Sequence, residues 1–395
     1  MVSDLRAYSR VNSIPRDEWD HSTVDSSLWA TTDWLRNVEG GFSDERSYVV
    51  SAGGAMAVYH VNPDSYPDFV PRNLLSRDAA VNGLASQRAP HEQQRLVELL
   101  RGLGQDALAH AAVCAVPWGF TRALWARDAD TREALLTELE GTATRWDSGT
   151  SAVLYVDQDE QALRQALVKR GYVEVLAAGN SVLDVPEGGF DGYVETLRSK
   201  DRRTVRREIR NLQPTGITFR TADIADVVKD VAGLSAALDA KHGLPYNPEL
   251  HSKILLSQGE DLNRYHRVVV AERPNGTIAG FLVCFIKDGV LYPKMSGYDP
   301  QNEGEEYTYF NLGYYEMVRQ AQAAELHTIE YGTEAYQAKV IRGCRIRRLY
   351  SYIKPPAELR DTVRELGALV TRAQEQSFDA MLAGRTAADA ERDGV

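Results

Sequence analysis

The chain has 395 residues, of which 43% are hydrophobic and 26% are charged. This composition is typical of a folded globular protein with two or three domains, and it excludes a chain that is disordered throughout. The 45 Lys and Arg residues are outnumbered by 56 Asp and Glu residues, which gives a formal net charge of −11. Proteins that bind DNA or membrane surfaces are generally basic, and we therefore expect neither partner.

Cysteine, histidine and hydropathy patterns exclude several further classes of protein. The three cysteines, Cys114, Cys284 and Cys344, are far apart, which predicts no disulfide framework and fits a reducing compartment. The eight histidines show no metal-ligand spacing, so we expect no metal and no bound cofactor. The N-terminus shows no secretory leader and no run of 18 apolar residues occurs, which together predict a cytoplasmic protein. Serine hydrolases and NTPases are excluded because the sequence has neither a Gly-x-Ser-x-Gly elbow nor a P-loop.

The first half of the chain alternates between helical and strand patterns. After a short helix at 32–39, residues 47–61 have the pattern of two strands joined by a turn at Gly53 and Gly54. A Pro-rich loop follows them. The elements expected next are a helix at 91–104, a strand at 110–117, a helix at 131–146, a strand at 151–157, a helix at 159–171 and a strand at 180–185.

The second half repeats much of this order. Residues 266–299 predict three antiparallel strands, with turns at Gly276 and Gly289. The other elements expected here are helices at 193–212, 224–242, 308–326, 335–344 and 357–382, and strands at 217–222, 327–332 and 347–354. The shared order predicts a duplication of domains. The alternative is that any two α/β halves look this similar.

Three segments carry a resemblance to a known family. They are residues 30–40 (ATTDWLRNVEG), 197–212 (LRSKDRRTVRREIRNL) and 307–349, which contains a Tyr-Gly-x-Glu-Ala-Tyr-x-x-Lys run. On these residues the chain resembles the Fem-like N-acyltransferases, which have two tandem domains of the GNAT acyltransferase fold. The resemblance covers most of the chain and is strongest after residue 190. It implies an α/β (α+β) fold of tandem GNAT-like domains, each a mixed, mostly antiparallel sheet flanked by helices.

The resemblance also implies where the domains lie and what they do. Residues 1–190 are expected to form the N-terminal GNAT-like domain, and residues 191–356 the C-terminal GNAT-like domain that carries the active cleft. Residues 357–395 are expected to form a C-terminal helix and a polar tail. The implied activity is transfer of an acyl or aminoacyl group to an amine. Two features of the relatives are missing: the Gln/Arg-x-x-Gly-x-Gly/Ala loop that holds the coenzyme A pyrophosphate, and the coiled-coil arm inserted in several Fem proteins.

A basic helix is the first candidate for binding the donor. Four of its arginines share one face because they lie at i, i+3, i+4 and i+7. They are Arg203, Arg206, Arg207 and Arg210. Guanidinium groups pair bidentately with phosphate, so this face suits coenzyme A, the phosphopantetheine of a carrier protein, or tRNA. The alternative is a solvated basic helix paired with acidic neighbours.

The acyl end of the donor is expected near segment 292–299 and the helix that follows it. In a GNAT-like domain this strand parts from its neighbour, and N–H groups at the helix start bind a thioester oxygen or a phosphate. Gly304 gives this helix start local freedom. The residues assigned to the donor here are Tyr298, Tyr309, Asn311 and Arg342. The alternatives are a plain surface loop and, for the aromatic residues, an ordinary core.

The Tyr-Gly-x-Glu-Ala-Tyr-x-x-Lys run is the candidate catalytic segment. It joins the end of a strand to a helix, which is where α/β domains place their ligands. Amide formation needs a group that accepts the ammonium proton, and Glu334 is assigned as this base, with Tyr331 and Lys339 as further catalytic residues. The residues assigned to the acceptor are Lys294, Asp299 and Tyr336. The alternative for Glu334 is a helix cap, since acids are favoured in the first turn.

These patterns and the resemblance together predict an acyltransferase. It would move an acyl group from an activated donor, acyl-coenzyme A or an acyl carrier, to an amine of a small molecule or peptide in natural-product or cell-wall metabolism. The first alternative is a Fem-like transferase that uses aminoacyl-tRNA as co-substrate. The second is a non-catalytic ligand-binding protein, because a fold alone does not establish function. The chemistry is expected in the second domain, since the first has no acid in the position of Glu334.

Overall fold

The computed structural model describes residues 5–23, 27–80, 90–104, 106–241, 243–300 and 307–390. The chain divides into two compact units, each made of two separate stretches of sequence. The first unit is Met1–Asn180 with Arg347–Leu382, and the second is Ser181–Ile346 with Ala383–Val395. Within the described ranges, no helix is both long and apolar enough to cross a membrane.

The elements up to the end of the first continuous stretch include the helices and strands expected from the sequence and four that were not expected, at 6–8, 16–22, 71–80 and 124–126. They are β1 (Arg6–Tyr8), α1 (Arg16–Ser22), α2 (Thr32–Phe42), β2 (Arg46–Ser51), β3 (Gly54–Val61), α3 (Pro71–Ala80), α4 (Pro90–Leu103), β4 (Ala111–Cys114), β5 (Leu124–Ala126), α5 (Ala129–Arg145), β6 (Ser151–Asp157), α6 (Gln161–Lys169) and β7 (Val173–Asp184). The predicted hairpin at 47–61 is confirmed as β2 and β3.

The remaining elements contain the three antiparallel strands predicted between 266 and 299. They are α7 (Gly189–Thr196), α8 (Ser199–Leu212), β8 (Thr218–Ala222), α9 (Ile224–Lys241), α10 (Pro248–Asp261), β9 (His266–Glu272), β10 (Ile278–Lys287), β11 (Val290–Tyr298), α11 (Thr308–Phe310), a π-helical segment (Asn311–Glu316), α12 (Met317–Ala323), β12 (Thr328–Gly332), α13 (Tyr336–Ile341), β13 (Arg345–Lys354) and α14 (Arg360–Ala390). Gly304 lies outside the described residues.

Each unit has the same pattern of strand pairing. In the first unit the order is β1-β2-β3-β4-β6-β13, with β5 paired to β3. In the second it is β7-β12-β11-β10-β9-β8, where β7 contributes its last residues, 181–184. One pair is parallel in each unit, β4 with β6 and β11 with β12, while the hairpins β2-β3, β9-β10 and β10-β11 and the pairs β3-β4, β12-β7 and β13-β6 are antiparallel. The predicted fold class, tandem GNAT-like domains with mixed, mostly antiparallel sheets flanked by helices, is therefore confirmed.

The domain boundaries differ from those expected at residues 190 and 356. The last residues of β7 pair with β12 and thus belong to the second unit. Strand β13 pairs with β6, so that most of it belongs to the first unit together with α14 up to Leu382. The expected C-terminal helix extends through Ala390, and residues 391–395 lie outside the described range. Strand pairing between distant segments decides these boundaries, and local sequence patterns do not record it.

The helix expected at 193–212 is two helices in the structure. Leu197 and Arg198 have extended backbone angles, with ψ of 152° and 150°, which end α7 and begin α8. Arg198 Nε donates to Asp201 Oδ2 at 2.6 Å across this start. The break lets α8 place Val205 and Leu212 in the core of the second unit, against strands and the π-helical segment.

Helix α9 packs closely on strand β11 in the second unit. A Cβ added at Gly297 would lie 2.5 Å from the carbonyl carbon of Leu234 and 2.6 Å from the nitrogen of Ser235. Both distances are far below a van der Waals contact, so a side chain at this position would collide with helix backbone. Gly297 thus allows the helix to lie directly on the strand that carries the site.

We expect Gly297→Ala to destabilise the second unit, because either β11 or α9 must shift to accept the new methyl group. Overpacking of this kind costs about 1–3 kcal/mol. Gly233→Ala is the matched control, since its Cβ would lie 3.6 Å from Tyr246 Oη, an ordinary contact, and a helix-interior alanine stabilises by roughly 0.5–1 kcal/mol. Urea denaturation measures both variants. Equal stabilities would contradict the close packing of α9 on β11.

Candidate active site

The parallel strands β11 and β12 part from each other after two paired positions. Val290 pairs with Thr328 and Leu291 with Ile329, whereas β11 continues to Tyr298 and β12 to Gly332. The register of β11 with β10 also shifts here, so that Lys294 is the extra residue of a β-bulge. The register agrees with the expected opening of this strand from its neighbour.

The turn after β12 has an unusual backbone conformation. Gly332, Glu334 and Ala335 all have positive φ angles, of 70°, 66° and 45°. Two of these residues are not glycine, and such residues adopt this conformation uncommonly, mostly where the surrounding structure fixes it. Ala335 is the N-cap of α13 and makes no side-chain cap bond, so exposed Glu334 precedes the cap position. This geometry does not support the alternative that Glu334 caps the helix.

Lys339 fixes the backbone of this turn from within the protein. Its Nζ donates to the carbonyl oxygens of Tyr331 at 2.9 Å, Gly332 at 3.2 Å and Thr333 at 2.7 Å. Burial lowers the pKa of Lys339 to about 8, although the nearby Glu334 carboxylate opposes the shift. Three hydrogen bonds occupy all three protons of the ammonium group. In this arrangement Lys339 therefore holds the turn in place.

Lys294 lies within electrostatic range of this turn. It is half-buried, and burial together with the charge of Lys339 lowers its pKa to about 8. The other two residues assigned to the acceptor lie on either side of the opening. Asp299 follows β11 and accepts from Arg273 at 2.7 Å, while half-buried Tyr336 is the first residue of α13.

An aromatic cluster lies beside the two parting strands. The ring of Tyr331 is 5.0 Å from that of Tyr314, and its hydroxyl donates to the Tyr314 carbonyl at 3.4 Å. Burial raises the pKa of Tyr331 well above its usual value. Tyr298 and Tyr309 form a second ring pair, with centroids 5.2 Å apart. Tyr298 is buried and Tyr309 is half-buried, so the cluster is partly core and partly accessible.

Two residues assigned to the donor, Asn311 and Arg342, belong to a buried polar network. Arg342 Nη2 donates to Glu208 Oε2 at 2.7 Å and its Nε to Tyr315 Oη at 3.2 Å. The Tyr315 hydroxyl also donates to Glu208. Asn311 Nδ2 donates to the Glu208 carbonyl at 3.1 Å and to that of Tyr307 at 2.9 Å. As donor ligands both stay predictions, and the structure gives them interior partners.

The outer face of α8 carries a row of cations. Arg206 donates to Glu195 at 2.8 Å, whereas Arg203, Arg207 and Arg210 are exposed and make no side-chain hydrogen bond or ion pair within the described part of the chain. The same holds for Lys200. These four unpaired residues, Lys200, Arg203, Arg207 and Arg210, are the cation stripe; they lie at i, i+3, i+7 and i+10, over roughly 15 Å. All four predicted arginines are thus exposed, and three of them have no ion-pair partner within the described part of the chain.

Glu208 and Tyr315 were not assigned from the sequence. The signal for Glu208 was present, since it lies three residues after Val205 and four before Leu212, inside the apolar stripe of α8. An acid in that stripe must be buried and therefore needs a partner. In the described ranges, no group of three or more His, Cys, Asp or Glu side chains is arranged to hold a metal ion.

The low pKa of Lys339 predicts a pH dependence of stability. Between pH 8 and about 10.4, the unfolded chain keeps a proton on this lysine that the folded protein has released. The free energy of unfolding therefore increases as the pH rises through this window. We expect Lys339→Met to reduce the gain in unfolding free energy between pH 7.5 and 9.5 by roughly 1–2 kcal/mol. Urea denaturation at the two pH values measures it. Lys253→Met, at an exposed lysine, should keep the wild-type gain; the same gain in Lys339→Met would refute the shift.

Comparison with solved structures shows the same fold in distant proteins. FemX is 10% identical, with a TM-score of 0.56 and coverage of 91% of this chain and 100% of FemX. The C-terminal domain of a lysylphosphatidylglycerol synthetase candidate from Agrobacterium fabrum is 10% identical, with a TM-score of 0.51 and coverage of 90% and 96%. A conserved protein from Bacteroides thetaiotaomicron is 12% identical, with a TM-score of 0.52 and coverage of 86% and 91%.

The sequence matches none of the curated proteins with which it was compared. It does match the profile of the FemAB-like family, which is described by peptidoglycan biosynthesis and recognition, over residues 111–382. This match covers more than half of the chain. It includes the basic helix α8 and the turn after β12, residues 331–335, which is called the strand-end turn below. The chain therefore belongs to the FemAB-like family.

Proposed function

We propose that this protein transfers an aminoacyl or acyl group from an activated donor to an amine, and that the reaction takes place in the second unit. The observation that carries the proposal is the turn at the end of β12. It presents the exposed carboxylate of Glu334 beside the opening between β11 and β12, on a backbone held by Lys339. Membership of the FemAB-like family supports a peptide amine as the acceptor.

The proposed reaction forms an amide from an ester donor. The acceptor arrives as an ammonium ion, since alkylamines are mostly protonated near neutral pH. Glu334 binds this ion and takes one proton, and the neutral nitrogen attacks the acyl carbon. A C–N bond forms, the C–O ester bond breaks, and the second nitrogen proton goes to the departing oxygen of the donor. In aminoacyl-tRNA this is a ribose oxygen, which leaves as a hydroxyl group. The partly accessible aromatic cluster around Tyr309 lies beside this opening, where it would contact the acyl group.

The cation stripe supports RNA as the carrier of the donor. Its four charges extend over roughly 15 Å, and phosphates in a nucleic-acid strand recur about every 3.4 Å along the axis. A row of this length matches a strand with several phosphates better than a single pyrophosphate. The stripe also lies on the face of α8 opposite Glu208, which suits a carrier that extends along the protein surface. Aminoacyl-tRNA is therefore our proposed donor, in preference to acyl-coenzyme A.

Among its described residues, the first unit offers no equivalent site for the donor. Its helix α5 follows the strands in the position that α11 has in the second unit, but Asp128 caps it by accepting from Thr131 N at 2.7 Å. This hydrogen bond lowers the pKa of Asp128, so a carboxylate already occupies the anion position. Tyr307, the N-cap of α11, makes no side-chain cap bond. At the end of β6, Asp157 pairs with Arg347 at 2.7 Å. These contacts favour the proposal that the first unit has a structural role and that the chemistry takes place in the second.

We expect Arg203→Glu with Arg207→Glu to weaken tRNA binding at least a hundredfold, since each charge-assisted phosphate contact contributes about 1.5–3 kcal/mol. The slope of log affinity against log salt concentration should fall by about 1.4–1.8. Filter binding with bulk tRNA at several salt concentrations measures both quantities, and coenzyme A is titrated in parallel. Loss of coenzyme A binding alone would favour that donor instead.

The matched control reverses two arginines of α14. Arg364 and Arg372 are exposed, with 63% and 54% of their side chains accessible, and their reversal changes the net charge by the same amount. We expect tRNA affinity to change less than threefold in this variant. An equal loss in both double variants would show that net charge, and not the stripe, determines binding.

Glu334→Gln keeps the size of the side chain and removes its charge. We expect the turnover rate to fall about 10²–10⁴-fold, because the acceptor ammonium loses its base, while the melting temperature stays unchanged. Turnover is measured by mass spectrometry of the amide formed from charged tRNA and a panel of peptide amines. Glu325→Gln is the matched control, at another exposed glutamate with a positive φ of 54°. If both variants keep full activity, the base lies elsewhere.

A further inference from the structure

A carboxylate of α8, the helix that carries the cation stripe, is linked to the strand-end turn through buried hydrogen bonds. Glu208 lies on the inner face of α8, opposite the cation stripe, and is 8% exposed. It accepts hydrogen bonds from Arg342 and from Tyr315, which belongs to the π-helical segment. The carbonyl of Glu208 also accepts from Asn311, one turn earlier in that segment. One residue of α8 thus fixes two neighbouring elements.

Arg342 transmits this link to α13. It is 3% exposed and follows the last residue of that helix. Its Nη1 donates to the Ala338 carbonyl at 2.8 Å, and its guanidinium carbon lies 3.6 Å from the centre of the Phe310 ring. Tyr193 donates to the Arg342 carbonyl at 2.9 Å. The orientation of Arg342 is therefore fixed on all sides.

Two buried cations, Lys339 and Arg342, connect helix α13 to the turn after β12 and to α8. Lys339 bonds three carbonyl oxygens of the turn that precedes Glu334, and Arg342, three residues later, bonds Glu208. Helix α13, which contains Lys339 and directly precedes Arg342, has only six residues, too few to be stable without tertiary contacts. Loss of the Glu208 contact leaves a buried guanidinium without its counter-ion, which the protein can relieve only by moving Arg342 and α13.

We infer that Glu208 is a positioning residue, which acts through Arg342 and α13 to hold the strand-end turn and Glu334 in their reactive place. The inference rests on the proposed function for its catalytic consequence. Its structural content does not depend on any substrate. Glu208 touches neither donor nor acceptor in this scheme, because the stripe on the other face of α8 contacts the donor.

The test compares amide hydrogen exchange in Glu208→Gln and the wild-type protein, measured by mass spectrometry on peptides that cover 329–344. We expect exchange in α13 and the turn to accelerate at least tenfold, while peptides from β9 and β10 keep their wild-type rates. Glu316→Gln is the matched control: Glu316 is also 8% exposed and accepts from Gln320 at 2.7 Å, but it does not contact Arg342 through any hydrogen bond within the described residues. Unchanged exchange in Glu208→Gln, or equal acceleration in both variants, would overturn the inference.

Two further measurements keep the outcome decisive. If Glu208→Gln does not fold, Tyr315→Phe removes one hydrogen bond from Glu208 and should give a smaller acceleration confined to the same peptides. In the transfer assay, we expect Glu208→Gln to lower kcat at least tenfold and to leave tRNA affinity within twofold. A protein that transfers nothing to any amine would refute the proposed function, and the exchange data would still decide whether Glu208 positions the turn.

Discussion

The end of pairing between β11 and β12 is the constraint on which the candidate site depends. Two parallel strands that stay paired leave no room between them, and here only two positions pair before the strands part. The bulge at Lys294 accompanies this opening in β11. Beyond these two positions β12 has no further pairing with β11, and on its other side it pairs with β7 as far as Gly332 and Ser181. In the turn at this end of β12, the carbonyl oxygens of Tyr331, Gly332 and Thr333 accept from Lys339.

Buried cations replace strand pairing around this opening. Lys339 lies on α13 and Arg342 directly follows this helix; they bond, respectively, the carbonyls of the turn and the carboxylate of Glu208. Burial of a charge is costly unless hydrogen bonds compensate for it, and each cation here makes three. Such a site is rigid but sensitive, because removal of one partner leaves the other charge uncompensated. The lowered pKa of Lys339 reflects this cost of burying its charge.

The two units share an arrangement of strands but differ in the residues at the helix start and at the strand end. In both, antiparallel strands lead into one parallel pair, followed by a helix. In the first unit Asp128 occupies the helix start and Asp157 is neutralised by Arg347. In the second unit the corresponding positions carry an N-cap without a side-chain bond and an exposed glutamate. The two units therefore share their pattern of strand pairing and differ in the residues at these corresponding positions.

Local periodicity allowed much of the fold to be predicted, and it failed where polar residues are buried. Helix α10 was not expected, because its buried face carries His251, Leu255 and Gln258, and two of these three are polar. His251 is buried because it bonds Ser235 at 2.8 Å and Asp239 at 3.0 Å on α9, a partnership that no sequence spacing reveals. The hairpins were predicted because their alternation and glycine turns are local.

The sequence by itself determined the order of elements, the family resemblance and the concentration of arginines on one helix. Only the tertiary structure decided which of these arginines are paired, since Glu195 lies on a neighbouring helix and binds Arg206 but not Arg203 or Arg207. It also decided that β13 joins the first unit and that Lys339 holds a backbone turn. The physical reason is the same in each case. Charge and hydrogen-bond partners are set by distances between residues that are remote in sequence, whereas periodicity reports only on neighbours along the chain.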